Sequence, residues 1–190
     1  MSFLINPFTF AVAGGDYEAI SSVTVGSGGA AEIEFASISS AYQHLQIRGI
    51  ARHGTNASTA DVLLRLNGDT GSNYAFHRLF GDGSSAGADG YASQSSGGSV
   101  LGIVPASGAL ANAFGVFVID ILDYASTSKN KTLRWFYGLE LNANNTTGRV
   151  GISSNLWADT NAVTSIKLYP SSGYSFVQHS TAALFGVKAP

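Results

Sequence analysis

The chain has 190 residues, a formal net charge of −2 and no cysteine, and 12% of its residues are charged, about half the share typical of globular domains. This length suits one sandwich-type domain, and the missing cysteine excludes disulfides, thiolate metal sites and cysteine nucleophiles. No block of Lys or Arg occurs, so we expect no electrostatic capture of nucleic acid or of an anionic membrane. So thinly charged a surface protects poorly against association, and we expect other chains to cover part of it.

Residues 1–15 form an apolar segment that we separate from a sandwich spanning residues 16–190. The segment is a frayed terminus, a first strand docked on its own domain, or an arm that lies on a neighbouring subunit. Its phenylalanines would promote aggregation unless a partner covered them. The candidate residues for contact with another subunit are Phe3, Leu4, Ile5, Phe8 and Phe10. No basic residue precedes Arg48, so we do not expect this segment to be a secretory signal.

The first half of the sandwich shows short apolar runs separated by turn residues. Residues 17–25 and 31–35 flank Gly26-Ser-Gly-Gly29, which predicts a hairpin. Further strands are predicted at 42–52 and 61–66, before the turn Asn67-Gly68-Asp69. Residues 72–80 fit a short helix or an irregular strand, and residues 81–98, rich in glycine and serine, predict a long loop.

The centre of the chain carries the strongest strand pattern. Apolar residues on both faces of residues 113–124 predict a strand with little access to water. In residues 131–141, Leu133, Trp135, Tyr137 and Leu139 alternate with more polar positions, a period of two that a helix would not show. The polar connection between these runs allows the second strand to pair with the first or to cross to a facing sheet.

The remaining strands are predicted at residues 99–104, 149–157, 163–169 and in a closing run that ends at Val187. The whole pattern predicts an all-β protein with a jelly-roll-like, two-sheet antiparallel sandwich of eight to ten strands and a short N-terminal arm.

Several patterns resemble catalytic or metal sites without their required context. Gly83-Ser-Ser-Ala-Gly87 matches G-x-S-x-G but lies in the predicted loop, with no strand before it and no helix after it. The four histidines show no metal-pair spacing, and Asp69, Asn73, Asp82 and Asp89 match no calcium loop. We therefore predict no catalytic residue, no metal site and no cofactor.

Aromatic residues suggest one alternative, a module that binds carbohydrate. Trp157, at the end of a predicted strand and near Asp159 and Asn161, could stack on a sugar or could close a sheet edge. Trp135 alternates in phase with leucines and is expected in the core.

Three stretches carry a resemblance to a known group of proteins. They are Tyr42-Gln-His-Leu-Gln-Ile-Arg48, Leu64-Arg-Leu-Asn-Gly-Asp-Thr-Gly-Ser-Asn-Tyr74 with His77, and Trp157 followed by Val163-Thr-Ser-Ile166. They resemble small virion structural proteins of tailed bacteriophages. This resemblance, which runs from about Tyr17 to Val187, implies a β-sandwich on the outside of a particle, often a trimer, with no catalytic residues.

The sequence and the resemblance together lead to one expected function and to one alternative, a tail- or fibre-associated module that binds host-surface carbohydrate. We expect a non-enzymatic capsid decoration, or cement, protein on the outer surface of a virion. Its expected partners are the major capsid protein or other virion subunits and further copies of itself, as a trimer. Burial of area between neighbouring shell subunits would then resist the internal pressure of packaged DNA.

Overall fold

A computed structural model describes residues 16–94, 97–142 and 148–188, and these residues form twelve β-strands and one short 3₁₀ turn. The strands are β1 (Tyr17–Thr24), β2 (Ile33–Phe35), β3 (His44–Ala51), β4 (Thr59–Leu66), β5 (Tyr74–Gly81), β6 (Ala86–Gln94), β7 (Ser99–Pro105), β8 (Gly115–Leu122), β9 (Lys131–Leu139), β10 (Arg149–Trp157), β11 (Ile166–Pro170) and β12 (Thr181–Val187). The prediction of an all-β protein is confirmed.

The strands form two antiparallel sheets of unequal width. The large sheet has eight strands in the order β1-β12-β3-β8-β9-β10-β5-β6, and the small sheet has four in the order β2-β11-β4-β7. From β2 to β8 the chain alternates between the sheets, except for the β5-β6 hairpin, and β11 returns beside β2. This is the path of a jelly roll, with the β9-β10 hairpin inserted in the large sheet and β1 and β12 added at its edge. The prediction of a jelly-roll-like sandwich is confirmed.

The core between the sheets is aromatic at its centre. Trp135 and Tyr137 on β9 are 0% and 1% exposed, and Trp135 stacks on Phe117 of β8 with ring centroids 4.8 Å apart. Two glycines make room for these rings: a Cβ at Gly151 would lie 2.5 Å from Tyr137 Cζ, and one at Gly102 would lie 2.7 Å from Tyr137 Cδ1. Gly102 is on the small sheet and Gly151 on the large one, so both sheets are shaped around the same ring.

One prediction for the first half of the chain is wrong, and one open alternative is decided. Residues 17–25 and 31–35 do not form a hairpin, because β1 pairs with β12 in the large sheet while β2 pairs with β11 in the small one. The glycine-rich turn between them therefore carries the chain from one sheet to the other. Residues 72–80, which fit a short helix or an irregular strand, contain most of β5, so the strand alternative is confirmed.

The strand number also exceeds the predicted eight to ten, partly because the expected loop at 81–98 contains β6. β6 pairs with β5 from Tyr74↔Gln94 to Gly81↔Ala86. Its glycines face large side chains: a Cβ at Gly87 would lie 2.6 Å from Phe80 Cζ, and one at Gly90 would lie 2.5 Å from His77 Cδ2. The composition that predicted a loop thus reflects close packing against the neighbouring strand.

The turn between β4 and β5 is fastened to the end of β10 by one carboxylate. Asp69 accepts hydrogen bonds from the Trp157 indole N–H (2.6 Å), the Asn73 side-chain amide (2.8 Å) and the Gly71 N–H (2.7 Å). Burial would raise the pKa of Asp69, but these hydrogen bonds outweigh it and hold the pKa below its ordinary value. The ionised carboxylate is therefore part of the fold.

The loop between β7 and β8 is held by a buried cation. Arg52 is only 7% exposed. Its Nη1 donates hydrogen bonds to the carbonyls of Leu110 and Ala113, both at 2.7 Å. Its Nη2 donates to the carbonyl of Ala109 at 3.1 Å. These bonds compensate the guanidinium for leaving water and fix the course of the loop.

The first prediction concerns the space around Tyr137. We expect Gly151→Ala to lower the free energy of unfolding by about 1–3 kcal/mol, because the added methyl overlaps a buried ring. This loss would lower the thermal midpoint by roughly 2–4 °C per kcal/mol, as measured by calorimetry. Gly138→Ala on the adjacent strand is the control, because its Cβ would meet nothing closer than 3.8 Å. Equal midpoints for the two variants would contradict the prediction.

The second prediction concerns the pH dependence of the Asp69 hydrogen bonds. Because folding lowers the pKa of Asp69, its stabilising contribution is present above the unfolded-state pKa and disappears as the pH falls through the lowered folded-state value. Near pH 7, Asp69→Asn is expected to cost about 1.5–3 kcal/mol, the range for a hydrogen bond to a charged group. The difference from wild type should shrink below about pH 4. Thermal midpoints measured across this range check it, and a difference independent of pH would contradict it.

Candidate interaction surface

One face of the large sheet covers the core, and the opposite, outer face carries a group of exposed apolar side chains. We call these six residues the outer patch; they are Ile50 (39% exposed), Leu79 (57%), Val116 (55%), Phe136 (54%), Val150 (53%) and Ile152 (43%). They come from five strands, β3, β5, β8, β9 and β10, and all lie towards one end of those strands.

Strand register makes the outer patch continuous. Phe136 is directly opposite Ile152, and Ile152 is opposite Leu79 on the other side of β10. In the next row Val116 is opposite Ile50 and Gly138, and Gly138 is opposite Val150. Side chains directly opposite across antiparallel strands are in contact range, so the two rows form one apolar surface.

A shallow depression lies within the outer patch. Its volume is about 380 Å³, and its walls come from Leu79, Phe136, Val150 and Ile152 together with the edge of Phe80 and the small residues Gly81 and Ala86. Soluble monomers rarely expose contiguous apolar patches larger than a few hundred Å², and larger ones mark sites of interaction. A depression of this size and chemistry can receive an apolar side chain.

A charged row borders the outer patch on the same face. Gln46 donates to Asp120 at 2.7 Å, and Arg134 donates to the same carboxylate at 2.6 Å. Arg48 donates to the Gln46 side-chain oxygen at 2.5 Å, which completes a chain of four polar side chains. These groups satisfy one another, so the border is polar and the patch itself carries no charge.

The sequence did not reveal this surface. Apolar residues on both faces of β8 predicted a strand shielded from water, but Val116 is 55% exposed, which corrects that prediction. The alternation of β9 contained the missing signal, because Thr132 and Arg134 share the face of Phe136. Since β8 pairs with β9, the face of β8 in line with Arg134 also meets solvent.

The candidate contact residues predicted from the sequence do not form one site among the residues that the structure describes. The arm candidates Phe3, Leu4, Ile5, Phe8 and Phe10 lie outside the described residues. Trp157 is 1% exposed and donates to Asp69, so its indole lies in the core and presents no ring face for the glycan contact that the alternative interpretation considered there. The Asp159 side chain accepts from the Asn161 N–H at 2.7 Å, which is an ordinary turn contact.

The G-x-S-x-G stretch comprises part of the turn between β5 and β6 and the first two residues of β6. The N–H groups of Ser84 and Ser85 donate to the Asp82 carboxylate at 2.9 and 2.8 Å. These backbone hydrogen bonds lower the pKa of Asp82 strongly. Both serine hydroxyls also donate to the Asp82 carboxylate. In a serine hydrolase the hydroxyl of the nucleophilic serine would instead be hydrogen-bonded to a histidine. Within the described ranges, no cluster of three or more His, Asp or Glu side chains could hold a metal ion.

A second depression, of about 570 Å³, lies over the small sheet. Its charged side chains are already paired: the Arg65 guanidinium covers the Tyr169 ring at 4.7 Å and donates to the Gly97 carbonyl at 2.5 Å. Glu32 accepts from Lys167 at 2.7 Å. The charged groups of this face therefore serve to hold the fold together. Among the described residues, no comparable set of contacts covers the outer patch.

Comparison with protein-family models, with curated proteins and with solved structures found no match to this chain. Among the residues that the structure describes, no helix has the length and hydrophobicity needed to cross a bilayer.

Proposed function

We propose that this protein is a non-enzymatic structural subunit that associates with other subunits through the outer patch. The observation that carries the proposal is the continuous row Phe136–Ile152–Leu79, three apolar side chains between 43% and 57% exposed on adjacent strands. A stable sheet face with this composition is suited to contact with protein, because its backbone hydrogen bonds are already made within the sheet.

The energetics favour association through this face. Complete burial of an apolar side chain of this size contributes about 1.5–3 kcal/mol, so covering the exposed half of each would contribute about 1 kcal/mol. The low share of charged residues, 12%, removes much of the repulsion that keeps soluble proteins apart. Contact through several copies around a symmetry axis would multiply a modest interface.

The assembly that we propose is the outer surface of a tailed-bacteriophage particle. The support is the resemblance of the chain to virion structural proteins, together with the all-β sandwich and the apolar face. In this role the protein decorates the capsid as a trimer and bridges neighbouring subunits of the major capsid protein. Images of intact particles that locate this chain on the shell would support the proposal, and its absence from purified particles would contradict it.

The third prediction tests the outer patch directly. We expect the double variant that carries both Phe136→Thr and Ile152→Thr to weaken self-association of the full chain by about thirty-fold, because about 2 kcal/mol of apolar burial is lost. Threonine keeps a high strand propensity, so the sheet should persist. Sedimentation equilibrium measures the association, and circular dichroism checks the fold.

The matched control for this experiment lies on the same face. Leu122→Thr/Leu156→Thr changes two exposed apolar residues on β8 and β10, near the other end of the strands. This variant should associate as the wild type does. A patch variant that associates as strongly as the control would contradict the proposal, as would a wild-type chain that stays monomeric up to its solubility limit.

A further inference from the structure

We propose that residues 3–12 of one copy bind the outer patch of a second copy. This inference rests on the proposed function, since it identifies what covers the outer patch in the assembly. It is carried by the chemistry of the segment, by its length and by the place where the described chain begins.

The chemistry of residues 3–12 matches that of the outer patch. The segment has the sequence Phe-Leu-Ile-Asn-Pro-Phe-Thr-Phe-Ala-Val and no charged side chain. The six patch residues are also uncharged and 39–57% exposed, with the charged row of Asp120 and Arg134 confined to the border. An uncharged apolar segment and an uncharged apolar face can be buried together without desolvating an ion.

The spacing of the side chains also matches. If the segment binds as an extended strand, Phe8 and Phe10, two residues apart, would lie on one side of it about 6.6 Å from each other. Val150 and Ile152 have the same spacing on β10, and the depression of about 380 Å³ lies beside them. One phenylalanine can occupy the depression while its neighbour covers the adjacent apolar row, an arrangement typical of aromatic anchors in interfaces.

The position of Asp16 favours a second copy over the same chain. The Asp16 carbonyl accepts from the Lys188 N–H at 2.9 Å, so the chain enters β1 in register with β12. Tyr17 lies in the strand row that ends in Leu122, whereas the outer patch includes Val116, six residues further along β8. The strand direction at Asp16 therefore points off the sheet at the end opposite to the outer patch.

The distances permit either copy, so the choice between them rests on the strand direction at Asp16. The outer patch of the same copy is about 19 Å across the sheet, four strand spacings from β1 to β9, and about 20 Å back along the strands. Together these offsets amount to about 28 Å, and ten extended residues would span about 33 Å, so the segment could reach that patch if the chain reversed its direction before Asp16. In the strand direction at Asp16, the same length leads beyond the end of the sheet, away from the outer patch of its own copy.

The fourth prediction uses photo-crosslinking in the full-length protein. Phe8 is replaced by p-benzoylphenylalanine, and this protein is prepared with light isotopes and mixed with a heavy-isotope copy. We expect crosslinks from the light segment to heavy peptides of β9 and β10, at Phe136, Val150 or Ile152. Crosslinks only between peptides of one copy, crosslinks to another surface, or none at the outer patch would overturn the inference.

Complementation separates this inference from the proposed function. Phe8→Ser/Phe10→Ser in the full chain should weaken self-association as much as Phe136→Thr/Ile152→Thr, and an equimolar mixture of the two variants should regain part of it. Asn6→Ser/Thr9→Ser is the control within the same segment and should associate normally. If the Phe8/Phe10 variant associates as the wild type does while the Phe136/Ile152 variant does not, the inference fails and the proposed function stands.

Discussion

The close approach of the two sheets around Tyr137 is the constraint on which the rest of the structure depends. Gly102 from the small sheet and Gly151 from the large sheet leave space for this ring, and Trp135 beside it stacks on Phe117. As a result, one face of β8, β9 and β10 in the large sheet packs against the core. The side chains between these positions necessarily point outward, and in this protein many of them are apolar.

The sequence predicted the fold class because its strongest signals were local. Alternation in β9 placed Trp135 in the core, where it is 0% exposed, and the runs around it were regular enough to predict a sandwich. Pairing was harder to predict, because Gly26-Ser-Gly-Gly29 has the composition of a hairpin turn but connects strands of different sheets. β6 was missed because Gly87 and Gly90, which leave space for the side chains of Phe80 and His77, give this segment the composition of a loop.

The candidate surface was less predictable than the fold, for a physical reason. A strand with apolar residues on both faces does not indicate whether a second layer covers both, and only the pairing of β8 with β9 relates Val116 to the exposed side of Arg134. Trp157 shows the opposite difficulty. Asp159 and Asn161 follow it closely in sequence and suggested a surface position, but the indole lies in the core and reaches Asp69, which is 88 residues away along the chain.

Arg52 has a consequence for how variable this protein can be. It holds the β7–β8 loop through the main-chain carbonyls of Ala109, Leu110 and Ala113, and every amino acid supplies such an oxygen. Leu110 is 51% exposed, whereas Ala109 and Ala113 pack against the core. Evolution can therefore vary the exposed side chain of Leu110 without loss of the anchor, because the guanidinium binds main-chain oxygens.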